Sequence, residues 1–328
     1  MQWTISFDIP EGGNKINYKS SIFSIGSCFS TTMGEKLGER KFSILNNPFG
    51  TLFNPISMAQ VMEDSLLERP VNLDMVLVRD GLYLHFGMHS DIVAYSQDSL
   101  DRLIQKKQQM TKQILESASH ILVTFGTAWI YEYGDSGQIV ANCHKQPSGL
   151  FEKRLLHQEE ILKAYSSFFN ILKRVNKKAK VLITVSPVRH TKDGIPENQL
   201  SKSILRLAAH DLSESHEFVE YFPSYEIMMD ELRDYRFYKE DMIHPSAQAE
   251  DYIWERFKQT WIDPKCYAMI QEFEAIKRDL NHRPFNPDSP AHMKFLDALQ
   301  KKLDKYSKDF DFSKEIDALR KQVHHRGK

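Results

Sequence analysis

Cys28, Asp241 and His244 are the residues of this chain whose types and settings suit nucleophilic chemistry. Cys28 follows Gly26-Ser27 at the end of the apolar run Ile22 to Ile25, and helical periodicity starts directly after it, with Phe29, Met33 and Leu37 on one face. A strand that turns at a glycine into a helix leaves the next side chain at the carboxyl edge of a sheet, facing N-terminal amides that favour an anion. A thiol in that place is expected to lean towards its thiolate, more so beside an imidazole. Asp241 and His244 stand three apart in Asp241-Met242-Ile243-His244-Pro245-Ser246, after a charged loop and before a helix that Ser246 can cap. Histidine before proline is held extended, which projects its ring, and the carboxylate can orient it as a general base. Ser27 is the rival nucleophile, expected to turn elsewhere and bond locally. The plainer alternatives are a buried free cysteine and an Asp turn that only holds backbone amides.

Further candidates sit where other runs end. Gly126-Thr127-Ala128-Trp129 follows Ile121 to Phe125, so its amides or the Thr127 hydroxyl are candidates for an oxyanion hole. Gly50, in Asn47-Pro48-Phe49-Gly50-Thr51, offers an amide that a substrate can approach closely. Arg189, in Ser186-Pro187-Val188-Arg189-His190, suits an anionic substrate group. Asn142 and His144 lie together after a hairpin around Gly134 to Gly137 and are candidate substrate contacts. No metal site is expected: Cys143 and His144 lack paired zinc-type spacing, and His85 and His89 lie on a strand-like alternation from Leu82 to Phe86. Asn198 and Lys202 open a helix and face either the cleft or water.

The elements that must position these groups alternate. Apolar, β-rich runs at Ile22 to Ile25, Ile121 to Phe125 and Val181 to Val185 are each followed by a turn and then a helical or polar stretch, and a shorter strand is expected at Phe218 to Phe222. Helical patterns cover Leu100 to Leu115, Glu159 to Val175 and Gln199 to Leu212. The expectation is an α/β fold with a parallel sheet and ligands beyond the carboxyl ends of its strands. From Asp263 strands vanish, charges interleave and Met293, Leu296, Leu299 and Leu303 keep a helical stripe. The division expected is therefore an α/β domain over residues 1–262 and a charged helical extension over 263–328; solvated helices are the plainer reading of the extension, packing on the core or on a second subunit of a homo-oligomer the other.

Bulk properties narrow the partners. The 328 residues are 41% hydrophobic, which fits a globular protein, and 43 Lys plus Arg against 44 Asp plus Glu leave no charge footprint for nucleic acid or an anionic membrane. A small-molecule substrate is expected. Met1 to Pro10 lacks the basic-then-apolar pattern of a secretory signal, and no run reaches the roughly 20 apolar residues of a membrane span. Three unrelated cysteines argue against a disulfide framework, so a cytoplasmic location is expected. No nucleotide-binding motif or other cofactor signal is present.

Gly26-Ser27-Cys28-Phe29-Ser30 resembles the motif that names the GSCFA family, with Ser30 in place of the final Ala. That family is similar to the SGNH or GDSL hydrolases, and the resemblance implies a flavodoxin-like three-layer fold and esterase, lipase or acyl-transfer chemistry on carbohydrates or lipids. It covers about Ile22 to the helix after His244. It places Cys28 at the nucleophile position, Ser27 where the Asp stands, Gly50 at the second-block Gly, and Asp241 and His244 at the last block. Ala128 occupies the position of the third-block Asn, so one oxyanion donor is absent or comes from Thr127 or Asn142. The expected function is an esterase-like hydrolase for small O-acyl groups, on a substrate such as a carbohydrate ester. The alternatives are an acyltransferase fed by a thioester, which a thiol nucleophile suits, and a non-catalytic binding protein on the same fold.

Overall fold

A computed structural model describes residues 5–324. In chain order the elements are β1 (Ser21–Gly26), α1 (Cys28–Glu39), β2 (Ser43–Asn46), α2 (Pro55–Leu66), β3 (Val76–Arg79), β4 (Leu82–His85), α3 (Gln97–Ser117), β5 (His120–Phe125), β6 (Trp129–Tyr133), β7 (Gln138–Val140), β8 (Phe151–Leu155), α4 (Gln158–Val175), β9 (Lys180–Val185), α5 (Ile195–Ser215) and β10 (Val219–Tyr221). The single turn α6 (Ser224–Glu226) runs into a π-helical turn (Ile227–Glu231), and α7 (Ala247–Trp261), α8 (Tyr267–Leu280), α9 (Pro290–Tyr306) and α10 (Ser313–His324) complete the chain.

Five parallel strands make the central sheet in the order β10-β9-β5-β1-β2. Its inner strands are buried on both faces, which a continuous apolar run requires. Alternate residues then serve two cores. Phe23, Ile25, Ile121, Val123, Val181 and Ile183 face one core with α2 to α5, while Ile22, Leu122 and Leu182 face the other with Phe29, Met33 and Leu37 of α1 and Ile253, Trp254 and Phe257 of α7. The result is the three-layer, flavodoxin-like α/β arrangement. The strand order reverses between β1 and β5, so the crevice beyond their carboxyl ends is the place where such sheets bind ligands. Gly26 ends β1 in a backbone conformation with φ +149°, where a Cβ would lie 2.7 Å from that of Thr124 on β5.

Two small antiparallel units are inserted, the β3–β4 hairpin and the β7-β6-β8 sheet, which share a minor core of Met75, Phe86 and Val140. Sequence periodicity marks neither β2 nor α2, and α5 begins at Ile195, four residues before the expected start. The last strand is the three-residue core of the expected Phe218 to Phe222 run.

Beyond Asp263, α8, α9 and α10 bury Phe273, Ile276, Leu296, Leu299, Leu303, Phe312 and Leu319 among themselves. The stripe seen in the sequence is thus mostly spent within the chain. Tyr18 joins this cluster to the main domain by stacking on Phe42 at 4.6 Å and meeting Phe310 edge-on at 5.0 Å. Among the described residues no helix is long and apolar enough to cross a membrane.

Candidate active site

Cys28 is the first residue of α1, half-buried at the carboxyl edge of β1. Ser27, at the N-cap, makes no capping bond; the Phe29 amide has no acceptor among the described residues, and the Cys28 amide faces the residue's own sulfur. These amides point where negative charge would form. Ser27 does not take the local hydrogen-bonding role expected of it: its hydroxyl is buried without a partner. Its side chain packs towards Gly126, where an added Cβ would stand 3.3 Å from that of Ser27.

The expected thiolate preference is not what the surroundings give. Burial pushes the Cys28 thiol up from its ordinary value, outweighing the residue's own amide and the charge of Lys239, which pull it down. A proton therefore has to be removed during attack.

Asp241 and His244 form the pair the spacing suggests. His244 Nδ1 and Asp241 Oδ2 are 2.7 Å apart, and Asp241 Oδ1 accepts from the amides of Ile243 at 2.8 Å and His244 at 3.0 Å. The His244 amide, the His244 ring and the Ile243 amide hold the carboxyl well below the usual range, so Asp241 is ionised and fixes the proton on Nδ1. Nε2 is left as the acceptor. The segment bearing this pair is near enough for the charge of Lys239, whose amide donates to His244 O at 2.8 Å, to act on the Cys28 thiol. Among the described residues no hydrogen bond joins Cys28 to the His244 ring, a contact that in enzymes without substrate is often long.

Other candidates are committed elsewhere. Both amides at Gly126 and Thr127 donate to Phe53 O, at 2.9 and 3.0 Å, and the Thr127 hydroxyl lies in a buried network with Ser201 Oγ at 3.1 Å. Neither is available to an oxyanion, because the loop after β2 closes over the end of β5. The Gly50 amide likewise donates to Asn47 O at 2.9 Å; its φ of +74° and the packing of His89 on its bare Cα face are what require glycine there. Ala128 is fully buried and its amide donates to Ser201 Oγ at 2.8 Å.

Asn142 and His144 belong to the inserted units. The Asn142 amide donates to Phe86 O at 3.1 Å and its Oδ1 accepts from the His144 amide at 2.8 Å, while His144 Nε2 bonds His85 O at 2.9 Å, so both residues tie the small sheet to the end of the hairpin. Arg189 lies beside the His244 segment, its amide donating to Ile243 O at 3.1 Å. No three His, Cys, Asp or Glu side chains among the described residues are placed to hold a metal.

Three groups given little or no weight in the sequence line the same edge. His190 packs edge-on against Phe53 at 5.6 Å, with its Nε2 buried and unpaired, and burial with the charges of Lys202 and His244 pushes its pKa down to about 3. Asn198 is buried, accepts from the His190 amide at 2.8 Å, and leaves its Nδ2 without a partner. Lys202 is wholly buried and donates to Gly126 O and Ser186 O, each at 2.8 Å; burial brings its pKa down to about 7. It ties the carboxyl ends of β5 and β9. The spacing of Asn198 and Lys202, one helical turn apart, was the signal that both share a face.

The model of the GSCFA family matches residues 21–257, and that of the GSCFA domain protein, C-terminal domain, matches residues 273–325. The chain belongs to the GSCFA family. It matches no curated protein sequence. The two GSCFA matches fall on the sheet domain and on the helical cluster of α8 to α10, and the first runs from β1 into α7 and so includes Cys28, Asp241 and His244.

Proposed function

We propose that this GSCFA protein is a thiol hydrolase of small O-acyl esters, with Cys28 as nucleophile, His244 as base and Asp241 as its orienting acid. The observation that carries the reading is the Asp241–His244 pair at 2.7 Å, with Nε2 unpartnered, on the same sheet edge as a cysteine at an uncapped helix start. The likeness to SGNH hydrolases inferred from the motif supports the same roles. Nε2 takes the thiol proton as Sγ attacks the acyl carbonyl, and the amides of Cys28 and Phe29 bind the oxyanion. Collapse expels the alcohol, which receives the proton from His244, and leaves an S-acyl enzyme. Water, deprotonated by the same nitrogen, then attacks the thioester; the acid leaves and Sγ recovers the proton. An acceptor alcohol replacing water makes the protein an acyltransferase.

A binding protein on the same frame is favoured by one feature, the thiol pushed up by burial. Incubation with p-nitrophenyl acetate, followed by mass spectrometry of the intact chain, separates the two. Acetylation at Cys28 that falls steeply in His244→Ala supports the enzyme. A chain that is neither acetylated nor releases p-nitrophenol, or that does either equally in His244→Ala, overturns it.

A further inference from the structure

A cavity of about 200 Å³ adjoins the segment that carries Asp241 and His244, and Arg189, Met228, Leu232, Arg233, Tyr235 and Tyr238 are among the residues that line it. Its wall is apolar where methionine and leucine face it and cationic at the two arginines. The one acid, Asp234, is engaged with Arg236, accepting its amide at 2.9 Å and facing its Nε at 3.7 Å. The cavity is therefore net positive.

Arg189 is the unusual member. Its guanidinium lies 3.9 Å from the ring centre of Tyr238 and 5.7 Å from that of Tyr235, while Nε and Nη2 are shut from water with no acceptor in the protein. Other partly buried arginines here meet carboxylates: Arg40 with Glu274, Arg154 with Glu160, Arg256 with Glu231. Stacking on tyrosine offsets part of the desolvation of a cation, but not two missing hydrogen bonds. Nε and Nη2 form one edge of the guanidinium fork, whose parallel N–H groups match two oxygens of a single oxyanion.

We infer that this cavity is a binding site for an oxyanion, a carboxylate or phosphate monoester, carried on a short apolar or aromatic stem and held two-pronged by Arg189. Arg233 adds charge, Met228 and Leu232 take the stem, and Tyr235, 67% exposed, is the wall that moves to admit the anion to the fork. The Arg189 amide is bonded to Ile243 O, the residue before His244, so the cavity lies beside the segment that carries the Asp241–His244 pair. As a statement about substrate, that the ester or its acyl donor is acidic, the inference rests on the function proposed above; the binding itself does not.

Calorimetric titration of the full chain with phenyl phosphate, benzoate and benzyl alcohol tests it. Saturable binding of either anion, none of the alcohol, and a loss of about tenfold or more in Arg189→Lys, which keeps the charge but not the fork, are expected. The tighter anion identifies phosphate or carboxylate as the natural group. Cys28→Ala should bind as the unaltered protein does, so failed acylation leaves this result intact. No saturable binding by either anion, or equal binding in Arg189→Lys, overturns the site. Should Arg189→Lys not fold, Arg233→Gln is read instead: weaker anion binding supports the site, and unchanged binding overturns it.

Discussion

The thiol of Cys28 faces two opposing influences, and their balance sets how it should react. Burial raises its pKa and Lys239 lowers it, so the thiolate fraction at neutral pH is smaller than for a free cysteine and grows only as pH rises past the ordinary thiol range. Iodoacetamide labelling of Cys28, followed peptide by peptide in the mass spectrometer, should be slow at neutrality and climb through alkaline pH. Lys239→Gln should move the climb to still higher pH; a mid-point at or below that of a free thiol would show that the helix amides dominate instead. At this scale the local chemistry was legible in the sequence: Asp241 reaches His244 through bonds spanning two and three residues. The candidates at Gly50, Gly126 and Thr127 were another matter. Their amides are taken by Asn47 O and Phe53 O, and the Phe53 contact is made only once the loop after β2 lies over β5.

Elements bring these residues to one edge, and two of their contacts are exposed to test. Gly26 closes β1 at φ +149° against Thr124, so Gly26→Ala is strained whatever its neighbours do and should cost about 2 kcal/mol or more in urea unfolding. Lys202 supplies a pH-dependent tie. Its folded pKa is about 7 against 10.5 for an ordinary lysine, so between those values the unfolded chain binds the extra proton and the contribution of Lys202 to stability rises with pH. The stability difference between the unaltered protein and Lys202→Met, measured by urea unfolding, should shift towards the unaltered protein from pH 7 to 10.5. A difference that stays flat would mean Lys202 is charged throughout. The buried strands were readable because β1, β5 and β9 are continuous apolar runs. β2, four residues at the sheet edge of which none is buried, carries no such signal, and α2, buried over most of its length, shows no amphipathic period; only Asn54 at its cap and Pro55 in its first turn mark where it starts.

For the whole molecule, the main question is how the helical C-terminal region attaches. Tyr18 is the aromatic hinge of that contact, yet its hydroxyl is buried without a partner. Tyr18→Phe keeps the ring stacking and removes the unsatisfied group, so it should stabilise the protein by about 1 kcal/mol, read as a raised unfolding midpoint in urea. A lowered midpoint would show that the hydroxyl finds a partner in solution. The boundary near Asp263 was visible as a change of composition, but the surface on which the extension docks was not, since Tyr18, Phe42 and Phe310 are far apart in the chain. That docking has a mechanical side. Glu39, Arg40 and Lys41, at the end of α1, are gripped by Lys277, Glu274 and Glu315, while Cys28 stands at the other end, about 18 Å away along the helix axis. One helix thus spans the distance between the face on which the C-terminal domain docks and the sheet edge that holds the sulfur, so the anchoring of its far end by three ion pairs also fixes where that sulfur stands.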